Sequence, residues 1–292
     1  MTQKVPSGGL LLDKPPGITS ARAVSRVKRL LPNKTKIGHT GTLDPLASGL
    51  LVLLLGRATR LARYVSDLDK SYTATARFGA VSDTLDAEGH IIELDSSIPT
   101  QDAIRDALPT FTGNLLQVPP MTSALKRGGI RLYDLHRRGI SVEREARPVT
   151  VHSFELAALD PTRQTAKFDI SCSSGTYVRT LVNDLASSLG SGAYLTALRR
   201  TSVGHLTVDH AILPQDLPET LHNRIIPPLD VISHLPGVAV SEETGRGVVC
   251  HGGRIERGWI DGSYRVMCGG ELLAVYRDDE EAGRAEVVLC AT

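Results

Sequence analysis

Asp44 is the carboxylate in this chain best placed to do chemistry. It lies in Gly38-His39-Thr40-Gly41-Thr42-Leu43-Asp44-Pro45-Leu46-Ala47-Ser48-Gly49, where glycines, small hydroxyls and one histidine surround a single acid. A carboxylate on such a loop serves as a nucleophile or a base; an aspartate that merely caps its own loop is the competing reading. Glycines let the backbone come close to a ligand. Pro45 stiffens the residue after the acid and biases Asp44 itself towards extended backbone. An arginine beside the carboxylate would keep it ionised and aimed.

The partners must come from distant elements. Lys70 to Phe78 alternates, with Tyr72, Ala74, Ala76 and Phe78 on one face, which predicts a strand. Tyr72 is the right type to lie over a ring, although a core tyrosine looks the same. Val178, Leu181, Val182, Leu185 and Leu189 mark an amphipathic helix from Tyr177 to Leu189, with caps on offer from Ser173 to Thr176. Arg179 falls off that stripe, in the first turn, where the helix dipole disfavours a cation. It is either held there by a partner or exposed at the surface.

The apolar run Leu50–Leu55 directly after the Asp44 loop reads as a buried strand that fixes the loop. Gly9–Leu12 reads as a second short buried strand. Thr19 or Ser20 caps a helix to about Leu31, another helix spans Ala58–Ser66 and a third Gln101–Leu108. Val149–Leu156 and Ala166–Cys172 read as antiparallel strands, and Ala193–Arg199 as another. Ten of the 27 glycines fall in the last 56 residues, among short alternating runs, so the C-terminus reads as a small β-barrel or sandwich.

Composition narrows the classes. Hydrophobic content of 41% and charged content of 22% are those of a globular protein, and no apolar run approaches a membrane span. The N-terminus lacks a signal-peptide layout, which predicts a cytoplasmic protein. The four cysteines form no CxxC pair, which argues against a zinc site and against a disulfide framework; Cys172 reads as a buried thiol on a strand. Net charge is only +1, but seven Lys/Arg against three Asp/Glu fall between Lys126 and Arg147, a cluster fit to neutralise phosphates or to form an ordinary solvated face. Aromatic content of 4% argues against a long base-stacking platform.

The Gly38–Gly49 block resembles the signature of the TruB family of pseudouridine synthases, and further blocks support it in order. These are Leu12-Asp13-Lys14-Pro15-Pro16-Gly17, Asp69-Lys70-Ser71-Tyr72, Ser82-Asp83-Thr84-Leu85-Asp86-Ala87-Glu88-Gly89, Pro119–Lys126, Arg144–Val149, Ser174–Leu181 and Leu198-Arg199-Arg200. The resemblance spans most of residues 9 to 204. It implies an α+β fold: a mixed, mainly antiparallel sheet with flanking helices over residues 1–235, and a small PUA-like RNA-binding β domain over residues 236–292.

The resemblance also implies the chemistry. The substrate is the T-arm stem-loop of tRNA, whose uridine at position 55 becomes pseudouridine without metal, organic cofactor or energy source. A base inside a folded loop must be flipped out to react. Asp44 is the nucleophile, attacking C1′ of the sugar or first deprotonating C2′ to form a glycal. Arg179 pairs with Asp44 and orients it. Tyr72 stacks on the uracil and serves the late removal of the C5 proton, while Leu198 packs against the base. His39 fills or supports the space that the base vacates. Lys14, Asp86, Lys126 and Arg127 are further candidates for RNA contact or pocket support. No obligate protein partner and a monomer are expected. The alternatives are a non-catalytic tRNA-folding chaperone on the same scaffold and an RNA-guided relative acting on ribosomal RNA.

Overall fold

The computed structural model describes residues 6–95, 98–123, 125–217 and 221–290. Among these, ten strands form one sheet. Its order is Ile225–Ile226, Gly8–Lys14, Ser48–Leu55, Ala193–Val203, Lys70–Phe78, Thr165–Cys172, Arg147–Asp160 and Gly113–Gln117. Ile37–His39 adds to Ser48–Leu55, and Leu206–Thr207 to Ala193–Val203. Every pairing is antiparallel except one, where Ala193–Val203 runs parallel to Ser48–Leu55 through Arg199↔Ser48 and Arg200↔Gly49. The α+β expectation holds, with Ile225–Ile226 as an edge strand.

The unbroken apolar run of Ser48–Leu55 follows from burial on both faces. Leu51, Leu53 and Leu55 pack with Leu10, Leu12, Ala23, Val27, Leu181 and Leu185. Leu50, Val52 and Leu54 face the other way, onto Leu11, Leu61, Val65, Val231, Val275 and Leu289. Helices Ser20–Lys28, Gln101–Ala107 and Val178–Ser188 therefore cover one face, while a bent segment and the C-terminal sheet cover the other. That segment, read as one helix, is a 3-10 turn over Gly56–Leu61 followed by an α-helix over Ala62–Ser66.

The C-terminal region is a single four-stranded sheet, ordered Gly237–Ala239, Ser263–Cys268, Glu271–Asp278, Gly283–Val288, rather than a closed barrel. It is docked by arginines of the bent segment. Arg57 and Arg60 donate to the carbonyls of Leu289 and Val288 at 3.2 and 2.6 Å, and Arg63 pairs with Glu286 at 3.0 Å. The cysteine expectation fails in part: Cys250 and Cys290 form a disulfide across 40 residues. Their spacing carries no signal because the fold, not a local motif, brings the end of the last strand back to the Val249–His251 turn. Cys172 is buried as expected, and burial pushes its thiol up to about 11.

Candidate active site

The Asp44 loop is held from four directions. The Ser20 hydroxyl donates to the Leu43 carbonyl at 3.0 Å and accepts from the Leu43 amide at 2.8 Å. The Gly17 amide donates to the Pro45 carbonyl at 2.8 Å, and the Lys14 ammonium reaches the same oxygen at 3.4 Å. Arg200 donates from Nη2 to the Gly41 carbonyl at 3.1 Å and from Nε to that of Leu50 at 2.7 Å. Gly49 closes the loop at φ +96°, where a Cβ would lie 2.2 Å from the Arg200 carbonyl; only glycine fits there.

The first turn of the Val178–Ser188 helix delivers Arg179. None of the expected Ser or Thr caps is used: the N-cap is Tyr177, whose amide donates to Gln117 Oε1 at 2.7 Å. Arg179 is 5% exposed and makes ion pairs with Asp44 at 3.0 Å and Asp86 at 3.2 Å. It also donates to the carbonyls of Thr84 and Thr122 at 2.7 and 3.0 Å and to the Thr122 hydroxyl at 2.6 Å. Five oxygens thus fix the guanidinium, which settles its orientation against the surface reading and aims one edge at Asp44. Burial pushes the Asp44 carboxyl above the usual carboxylate range, while Arg179 pulls it back down.

These residues converge on a cavity of about 330 Å³ lined by Asp44, Tyr72, Arg179, Leu198 and Arg200, among others. Strand pairing accounts for the wall, since Arg200 lies opposite Tyr72 and Leu198 opposite Ala74. Burial raises the Tyr72 phenol, so it stays neutral near pH 7, and the neighbouring Arg200 acts in the opposite direction. Leu198, 8% exposed, supplies an apolar patch. The site therefore offers an accessible carboxylate, a cation that aims it and a flat aromatic wall.

The other expected residues divide. Asp86 is 2% exposed and accepts from Arg179, the Thr84 hydroxyl at 2.6 Å and the Glu88 amide at 3.0 Å, so its carboxylate supports the pocket from within the protein. Lys14 is fully buried, with its ammonium on the carbonyls of Pro15, Ile18 and Pro45, so it too is a support; burial lowers it to about 8. His39 ends the Ile37–His39 strand half-buried, next to the cavity-lining Thr40, with Nδ1 buried and unpaired among the described residues. Arg127 is exposed on the Lys126–Arg127/Ile130–Arg131 hairpin, away from the cavity lining; the Lys126 side chain lies outside the described residues. Sequence reasoning assigned no role to Lys70, Thr122 or Arg200. All three fall inside blocks that carry the resemblance, and that was the available signal.

Fold and site together define a pseudouridine synthase. The solved Cbf5-Nop10-Gar1 complex contains a chain matching 96% of this one and 84% of its own length, with TM-score 0.73 at 25% identity. The family model for the N-terminal domain of TruB pseudouridylate synthases matches residues 28–178. The tRNA pseudouridine synthase B of Aromatoleum aromaticum is 48% identical over 240 residues, 81% of this chain and 77% of that protein. Its namesake from Azoarcus sp. strain BH72 is 41% identical over 285 residues, 94% and 93% of the two chains. The chain belongs to the TruB family.

Proposed function

We propose that this protein converts uridine to pseudouridine in tRNA, at position 55 of the T-loop, with Asp44 as the nucleophile. The observation that carries this reading is the Asp44–Arg179 pair, 3.0 Å apart, in a cavity walled by Tyr72 and Leu198. The T-loop reading rests on the tRNA pseudouridine synthase B relatives, which are more than 40% identical over most of the chain. The Cbf5 likeness at 25% identity supports the shared fold rather than an RNA-guided role.

The reaction is an isomerisation. The N1–C1′ bond breaks, C5–C1′ forms, the C5 proton leaves and N1 gains one. Asp44 is aimed by Arg179 either at C1′ or at the C2′ proton, and both routes use the carboxylate form. Tyr72 supplies a neutral ring face for the uracil, and Arg200 beside it stabilises the phenolate form that removal of the C5 proton at the late step would call for. Asp86 is no second catalytic acid of the kind a glycosidase needs, because it is buried and taken up by Arg179, Thr84 and Glu88. The target base must leave its stack to enter the cavity, and His39, one residue before the cavity-lining Thr40, would support the vacated loop. Arg127 and its neighbours meet the phosphate backbone outside, and the sheet of the 236–292 region extends the RNA contact as a PUA-like module. We place the enzyme in the cytoplasm, acting as a monomer; no helix among the described residues is long and apolar enough to cross a membrane.

The test is incubation with an unmodified tRNA and its U55C variant, followed by pseudouridine mapping. Product at position 55 of the first tRNA, with none in the second, is expected. Product at another uridine, or none in either, overturns the reading.

A further inference from the structure

We propose that Lys70 and Arg200 form a phosphate subsite in the wall of the Asp44 cavity, holding a backbone phosphate that flanks the flipped uridine. The inference rests on the reading of the chain as an RNA-modifying enzyme.

Strand geometry places the two cations together. Lys70 and Tyr72 are two residues apart on one strand and so share a face. Arg200 lies directly across from Tyr72 on the neighbouring strand. All three line the cavity. Lys70 is 7% exposed and Arg200 2% exposed, so neither belongs to the solvated surface where unpaired cations are ordinary.

Their partners do not cancel their charge. The Lys70 ammonium donates to the carbonyls of Ser66 and Leu68, and the Arg200 guanidinium to those of Leu50 and Gly41. Neither makes an ion pair with a carboxylate among the described residues. Asp69, the carboxylate next to Lys70 in sequence, is paired with His152 at 3.0 Å. Of the three cations that line the cavity, Lys70, Arg179 and Arg200, only Arg179 makes an ion pair among the described residues, and it takes up both Asp44 and Asp86. Glu88 acts on Lys14 and Arg179, and Asp67 and Asp69 act on Lys70 without an ion-pair contact. Two cations are therefore left over. Carbonyl dipoles position a buried cation but leave its unit charge uncompensated, which is costly unless a ligand supplies the opposite charge. The Val178–Ser188 helix starts in the same wall without a side-chain cap, and its positive end adds to the field.

RNA narrows the ligand to one group. It carries no carboxylate, and uracil carbonyls are satisfied by neutral donors. Its phosphodiesters each bring one negative charge. A nucleotide flipped over Tyr72 draws its flanking phosphates towards the cavity wall on either side of the ring.

The test uses T-arm stem-loops in which a single phosphate, 5′ or 3′ to the target uridine, is replaced by an uncharged methylphosphonate. Pseudouridine formation by the wild-type protein on the unmodified stem-loop is the control; its failure would count against the RNA-modifying reading itself. With that control met, one of the two replacements is expected to weaken wild-type binding about 10- to 100-fold, as for a lost hydrogen bond to a charged group. Lys70→Met and Arg200→Gln should bind charged and neutral stem-loops with nearly equal affinity. Lys70→Met should also flatten the plot of log K against log salt by about 0.7, as for one phosphate of a single strand. Arg200 also supports the Asp44 loop, so Lys70→Met decides the matter if Arg200→Gln folds poorly. No methylphosphonate penalty at either position, or the same penalty in the wild type and in Lys70→Met, overturns the subsite.

Discussion

Two groups of cations serve this molecule in opposite ways. Arg179, Arg200, Lys14 and Lys70 are buried around the Asp44 cavity, each donating to backbone carbonyls, and Arg179 also to two carboxylates. Arg127, Arg131, Arg137 and Arg138 stand exposed on the hairpin and helix that follow, where Arg131 and Arg137 lie over the Tyr133 ring at 5.9 and 5.5 Å. Buried cations gain geometry at the cost of desolvation, so removing one leaves an uncompensated partner behind. Exposed cations are screened by salt and contribute affinity without fixing an angle. The first group should control turnover and folding, and the second the strength and salt dependence of RNA binding.

The sharpest way to break this contrast is Arg179→Met. It strands Asp86 in the interior and releases Asp44, so single-turnover pseudouridine formation should fall at least ~1000-fold and stability by about 3–5 kcal/mol. Arg179→Lys keeps the charge but not the fork, and should recover only part of either loss. Wild-type turnover in Arg179→Met would dissolve the distinction. Gly49→Ala tests the frame behind the pair. Its φ of +96° and the Arg200 carbonyl 2.2 Å from the added methyl predict a loss of about 2–4 kcal/mol in denaturant titration.

The pH profile sharpens the contrast further. The reaction uses the Asp44 carboxylate, and its folded pKa lies above the ordinary value. Turnover per bound RNA should therefore fall as pH drops through that raised pKa, by about tenfold per unit below it, while the alkaline side of this limb stays flat. An acidic limb at or below the ordinary aspartate value would argue that Arg179 outweighs burial. The smallest effects belong to the exposed group. Arg127→Gln with Arg131→Gln should raise Kd by a few-fold, reduce the salt slope by roughly one per lost phosphate contact and leave single-turnover rates at saturation unchanged.

Much of this arrangement was legible in the sequence because it is local. The Asp44 loop, the double-sided Leu50–Leu55 strand and the Tyr72 strand all announce themselves by period and by punctuation with glycine. Arg179 was legible only by its awkward place in a helix first turn, and its five partners come from segments around 60 to 135 residues away. Asp86 and Lys14 look like surface charges in sequence, since nothing local records that a carboxylate or an ammonium will be satisfied from inside. The parallel join at Arg199↔Ser48 and Arg200↔Gly49, which seats Arg200 behind the Asp44 loop, is a long-range register no periodicity reveals. The Cys250–Cys290 bridge was missed for the same reason.

The central claim is that Asp44 does the chemistry and the rest of the cavity places it. Asp44→Asn, nearly isosteric, measured for both T-arm stem-loop binding and pseudouridine formation, tests it most directly. The account predicts binding within about threefold of the wild type, since the change removes one carboxylate and no phosphate contact, together with no detectable pseudouridine. Turnover at the wild-type rate in that variant would contradict it.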